Sequence, residues 1–253
     1  MDLQLTGTKA LVTGGTRGIG RAIVEVFLEE GAHVAFCARD AAEVAATQSA
    51  LGAGGAVVHG SVADVGHAAA LAGWVAGAAG TLGGVDVVVS NVSALAIPDV
   101  PENWEASLRV DLMGTVHLVQ AAMPFLRESA AGAIVTVSSV SGREVDFASG
   151  PYGTVKSAII AYTQGLAFQL AGRGIRANSV SPGNTYVPGG VWEQIEHGDP
   201  ELFATAHGLN PTGRMGTPRE MAAAVVFLAS PVSSFTTGTN LVVDGALTRG
   251  VQF

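Results

Sequence analysis

Short, almost continuously apolar runs rich in β-branched residues alternate with longer Ala- and Leu-rich segments along the chain. The runs are "KALVTG" (9–14), "HVAFCA" (33–38), "AVVHG" (56–60), "VDVVVS" (85–90), "AIVTVSS" (133–139), "IRANSV" (175–180) and "NLVVDG" (240–245). A strand that is apolar at nearly every position is covered on both faces, the environment of a parallel strand in a helix-flanked sheet. The intervening segments predict helices at about 18–30, 40–51, 66–80, 101–127, 151–171 and 218–229. This alternation specifies βαβ units with right-handed crossovers. The expected fold class is α/β: a doubly wound, seven-stranded parallel sheet with helices on both faces.

No internal repeat or shift in composition marks a boundary, so the chain reads as a single domain, 1–253. The one long irregular stretch, at about 184–217, carries Trp192, Ile195, Leu202 and Phe203 among prolines and glycines. It predicts a packed lid with short helical turns over the substrate.

Mean hydropathy is +0.40, but the longest apolar run, "AAAVVFLA" (222–229), is far short of the ~20 residues of a membrane span. Thirteen basic and 21 acidic residues give a formal charge of −8, with no extended Lys/Arg cluster. Nucleic acid and anionic membrane surfaces are therefore poor partners. Cys37, the single cysteine, precludes an intramolecular disulfide framework, and the six histidines show no H-x-x-x-H spacing, so no metal is expected. The N-terminus lacks a basic start followed by an apolar block, which together with Cys37 points to the cytoplasm.

"ALVTGGTRGIGRAIV" (10–24) runs strand, glycine turn, helix. Gly14, Gly18 and Gly20 close the turn, admit phosphate to the backbone and let helix pack on strand, while the helix N-terminus faces a pyrophosphate. In this βαβ setting Gly14, Thr16, Arg17, Gly18, Ile19 and Gly20 form a candidate dinucleotide site. At the end of the second strand, where an acidic residue would hold the ribose of NAD(H), the chain reads "FCARD". Arg39, with Arg17 nearby, suits a 2′-phosphate; two solvated arginines are the plainer alternative. Asp40 reads as a helix N-cap. NADP(H) is favoured over NAD(H).

"TGGTRGIG" (13–20), "SNVSA" (90–94), "VSS" (137–139), "YGTVK" (152–156), "NSVSPG" (178–183) and "TTGTNLVVDGA" (236–246) stand in one order along the chain. In that order and spacing they resemble the short-chain dehydrogenase/reductase family, with the 3-oxoacyl-carrier-protein reductases as the nearest branch. The resemblance covers essentially the whole chain. It implies a Rossmann-type domain, NAD(P)-dependent carbonyl/alcohol chemistry and a homotetramer or homodimer. By resemblance, Tyr152 is the catalytic acid/base, Lys156 its partner and a ribose ligand, and Ser139 the hydroxyl that holds the substrate carbonyl. Asn91, Pro182, Gly183 and Thr185 fall on cofactor positions, as do Ser61 and Val62 after the third strand, with Ser61 replacing the family's aspartate. The sharpest departure is Asp111, where the family usually carries a tetrad asparagine.

The residues make chemical sense of these roles. Tyr152 and Lys156 lie four apart, one above the other on a helix, so an ammonium can stabilise a phenolate. Ser139 can hold a carbonyl oxygen while Tyr152 protonates it. An ionised Asp111 near Lys156 would cancel part of that field; a tolerated near-isostere is the plainer alternative. Leu95, Phe147, Trp192 and Phe203 are candidate pocket walls or plain core, and a small hydrophobic carbonyl or alcohol is the expected substrate. Arg143 could meet an acidic group or stay solvated. A 3-oxoacyl-carrier-protein reductase is an alternative, disfavoured by the scarcity of basic surface for an acidic carrier. A catalytically weak NADP-binding sensor is the other. "TVSSVSG" lacks the G-x-S-x-G elbow of a serine hydrolase.

Overall fold

The computed structural model describes residues 2–53 and 57–251. Seven strands form one parallel sheet: β1 (Lys9–Thr13), β2 (His33–Ala38), β3 (Val58–Val62), β4 (Val87–Ser90), β5 (Ala133–Val137), β6 (Arg176–Pro182) and β7 (Asn240–Val243). Their order, β3-β2-β1-β4-β5-β6-β7, reverses between β1 and β4. That switch point opens a crevice at the carboxyl ends of the strands, where open α/β sheets bind ligands.

Every crossover before the last strand carries helix: α1 (Gly18–Glu29), α2 (Ala41–Gly52), α3 (Ala68–Leu82), α4 (Pro101–Ala106), α5 (Gly114–Leu126), α6 (Pro151–Leu170), α7 (Val191–Gly198), α8 (Pro200–Gly208) and α9 (Pro218–Ala229). Their starts are written in the sequence. Pro101, Pro151, Pro200 and Pro218 each stand at N1 or N2, where no helical N–H is lost. Asp40 caps α2 by accepting the Glu43 amide at 2.9 Å, as its position predicts.

Strand residues divide alternately between two cores. Ala10, Val12, Val34, Phe36, Val87 and Val89 face α1 and α9. Leu11, Ala35, Cys37 and Val88 face α3, α5 and α6. Burial on both sides accounts for the continuous apolar runs. Burial also pushes the Cys37 thiol up to about 12.

Two expectations shift. The third strand begins at Val58 and runs to Val62, because this edge strand continues through polar Ser61, which the apolar run does not mark; Ala56 lies outside the described residues. The single helix expected at 101–127 is three pieces. A π-helical turn, Ser107–Met113, separates α4 from α5, and Asp111 lies within it.

Candidate active site

The glycine turn sits at the switch point. Gly14 and Gly18 adopt φ of +72° and +56°, conformations that favour glycine. A Cβ on Gly20 would collide with the Gly14 carbonyl. Beneath the turn, Asn91 donates its backbone amide to Thr13 Oγ1 at 3.0 Å and its side-chain amide to the Thr13 carbonyl at 3.1 Å. It therefore braces β4 against β1. Ile19 packs on the core, and the Thr16 hydroxyl donates to Glu43 Oε2 at 2.9 Å.

Arg17 and Arg39 are both exposed. Neither has a carboxylate at ion-pair distance among the described residues. Ser61 and Val62 pair in register with Cys37 and Ala38, so the ends of β2 and β3 form one wall beside Arg39. Across the crevice, Pro182 ends β6 and the Gly183 amide donates to the Val243 carbonyl. Thr185 donates to the Gly183 carbonyl at 3.0 Å. Val187 then comes close enough that a Cβ on Gly18 would lie 3.4 Å from it. Left-handed glycines, a floor a Cβ would fill and two unpaired guanidinia fit a dinucleotide phosphate backbone.

The second cluster lies at the end of β5. Ser139 is buried and caps a short 3₁₀ turn, Val140–Gly142, by accepting the Ser141 amide at 3.2 Å. That turn docks on α6 without a spacer: a Cβ on Gly142 would fall 2.8 Å from the Lys156 carbonyl carbon, and one on Gly153 2.8 Å from the Ser141 carbonyl oxygen. Ser157 Oγ donates to the Gly142 carbonyl at 2.6 Å and tightens the join. Two glycines thus bring Ser139 against the helix that carries Tyr152 and Lys156.

Tyr152, in the first turn of α6, is half-buried, and Lys156 is 2% exposed. Lys156 Nζ lies 5.6 Å from the Tyr152 ring centroid and donates to the Val137 carbonyl at 3.2 Å. It is also 3.3 Å from Asp111 Oδ1. The structure therefore gathers Ser139, Tyr152, Lys156 and Asp111 from β5, α6 and the π turn.

Of the candidate walls, Trp192 and Phe203 belong to a small cluster with Ala206, Met215, Tyr186 and Ile195. Phe147 meets Trp192 edge-on at 6.0 Å and stays exposed. Leu95 is also exposed and holds φ of +50°, a strained conformation for a branched side chain. No composition or spacing signal marks that strain, or the π turn that delivers Asp111. Arg143 is exposed with no ion-pair partner among the described residues.

This architecture is that of a dinucleotide-binding oxidoreductase. Residues 14–248 match a family model described as enoyl-(acyl carrier protein) reductase, and the chain belongs to the short-chain dehydrogenase/reductase family. Isoepoxydon dehydrogenase patN of Penicillium expansum is 41% identical over 98% of both chains. L-fucose dehydrogenase of Bos taurus is 36% identical over 99% of this chain and 93% of its own. An NADPH-bound short-chain oxidoreductase from Pseudomonas aeruginosa PAO1, described as containing an atypical catalytic centre, superimposes with a TM-score of 0.89. It is 33% identical over 97% of this chain and 99% of its own. Among the described residues no helix is long and apolar enough to cross a membrane.

Proposed function

We propose that this protein is an NADP(H)-dependent oxidoreductase that interconverts a ketone or aldehyde with an alcohol. The observation that carries the reading is the buried Lys156 ammonium beside the Tyr152 ring, on a helix to which Ser139 is docked. The Ser139 hydroxyl holds and polarises the substrate oxygen. Tyr152 delivers the proton in reduction and takes it back in oxidation, and the Lys156 charge steadies the phenolate left behind. A nicotinamide dinucleotide held at its phosphates by the glycine turn would supply or accept the hydride.

Arg17 and Arg39, free of carboxylates among the described residues, favour a cofactor with a 2′-phosphate; NADPH in the Pseudomonas neighbour agrees with this. Relatives named as dehydrogenases of isoepoxydon and L-fucose support an alcohol/carbonyl reaction. The exposed Leu95 and Phe147 supply apolar walls for a small hydrophobic substrate, with segment 184–217 as a lid on a single domain. A homotetramer or homodimer would cover Phe168 on α6 and Phe235 ahead of β7, both almost wholly exposed. We place the enzyme in the cytoplasm.

A panel of ketones, aldehydes and secondary alcohols, followed by NADPH absorbance, tests the reading alongside NADPH binding by fluorescence. Wild type should turn over part of the panel, and Tyr152→Phe should lose about 10²- to 10⁴-fold in kcat while still binding NADPH. Binding without turnover in wild type, or full turnover in Tyr152→Phe, would overturn it.

A further inference from the structure

The π turn Ser107–Met113 presents one carboxylate to the interior. Asp111 is 1% exposed; its Oδ2 accepts the Ala94 amide at 2.8 Å and its Oδ1 lies 3.3 Å from Lys156 Nζ. Oδ1 has no aligned hydrogen-bond donor among the described residues, so the contact with Lys156 is one of charge rather than of directed bonding. A buried carboxylate of this kind requires a cation beside it.

We propose that Asp111 is a counter-ion that restrains the field of Lys156 on Tyr152, a positioning residue that keeps the phenol available as a proton donor to higher pH. The inference rests on Tyr152 being the acid/base of the proposed reaction. In reduction the phenol proton goes to the substrate oxygen as the hydride reaches the carbonyl carbon, so Tyr152 must begin protonated. In oxidation the phenolate accepts the hydroxyl proton as the hydride leaves, so it must begin ionised. An ammonium acting alone on the phenol favours the ionised form; an ammonium 3.3 Å from a carboxylate acts as a dipole, whose field falls off faster. An amide at this position would leave the ammonium unopposed.

The other charged groups do not supply this balance. The π turn packs against α4, α5 and α6. From α6 it faces Lys156 and Tyr152. On α4, Glu102 and Glu105 are exposed, and on α5 His117 lies beyond the π turn. Arg109, on the turn itself, lies beside Gly66 and Asp64. Among the described residues Lys156 alone reaches ion-pair distance of Asp111.

Asp111→Asn keeps an acceptor for Ala94 and removes the charge. Profiles of kcat/KM against pH, measured in both directions, should show the acid limb of oxidation and the alkaline limb of reduction moving together to lower pH by about one unit. Asp111→Glu, which retains the charge, should keep wild-type limbs. Superimposed profiles for wild type and Asp111→Asn would overturn the proposal. Asp111→Ser carries the same expectation where the asparagine variant does not fold. If wild type shows no turnover, the proposed function fails while this inference stays readable. Tyrosinate absorbance, with the Tyr152→Phe spectrum subtracted, should then emerge at lower pH in Asp111→Asn, and an undisplaced band would overturn it.

Discussion

The Ser138 hydroxyl donates to the backbone carbonyl of Lys156 at 2.8 Å, so the end of β5 is tied to the residue that carries the ammonium. Both partners are buried. The bond fixes how far along α6 Ser139 sits, and hence its alignment with Tyr152. Ser138→Ala should cost about 1–2 kcal/mol of stability and lower kcat by several-fold with little change in KM. Urea titration and steady-state kinetics measure the two effects separately.

Glu43 and Arg39 bring opposite charges to the proposed site of the adenosine ribose. Glu43 holds the Thr16 hydroxyl at 2.9 Å and would repel a 2′-phosphate, whereas Arg39 would attract one. Arg39→Ala should weaken NADPH binding about tenfold, near the lower end for a charge-assisted bond, and leave NADH binding unchanged. Glu43→Gln should tighten NADPH severalfold, with the gain fading at high salt. Fluorescence titrations with both cofactors decide the point.

Arg176, the first residue of β6, closes the C-terminus of α9. Its guanidinium donates to the carbonyls of Leu228, Ala229 and Ser230 at 2.6, 3.0 and 3.0 Å and to Ser233 Oγ at 2.9 Å. The cation meets the negative end of the helix rather than a carboxylate. Arg176→Met would remove the guanidinium from the Ala229 carbonyl and leave the Leu228 and Ser230 carbonyls only their bonds from Ser233, and should cost about 2 kcal/mol. Arg176→Lys should lose less, because one ammonium still answers part of the set. Thermal denaturation ranks the three proteins.

Glu220 completes a capping box with Thr217 at the start of α9 and pairs with Arg214 at 2.6 Å. The Arg214 hydrogen bond, then the Thr217 amide, holds its carboxyl down at about 2 instead of 4.5. A lowered folded value means that the stabilisation is present above pH 4.5 and lost as pH falls through about 2. Both side chains are largely exposed, so the contribution is small. Glu220→Gln should lower Tm by about 2 °C at neutral pH, and its curve should converge with wild type as pH falls from 4.5 toward 2.

Most of the sheet is legible in sequence because burial on both faces leaves continuous apolar runs, as in Val87–Ser90 and Ala133–Val137. The pairing of Tyr152 with Lys156 is legible because helical spacing of four stacks them. Other features leave no such mark. One π turn shifts the apolar pattern by a single residue, so Ser107–Met113 reads as ordinary helix. Leu95 takes a left-handed conformation without glycine or asparagine to announce it. Trp192 and Phe203 look like pocket walls by position, yet tertiary packing gathers them into a cluster that shapes the 184–217 segment.

Cys37 gives the chain a practical property. Its thiol is buried, and burial holds it near 12, so at pH 8 roughly one in ten thousand is the reactive thiolate. The native protein should therefore be silent to maleimides and other thiol probes. A single exposed replacement such as Val145→Cys or Leu202→Cys becomes the sole attachment point for a spectroscopic label. Whether the proposed 184–217 lid moves can then be followed in solution, from a label at Leu202→Cys, without first removing a native cysteine.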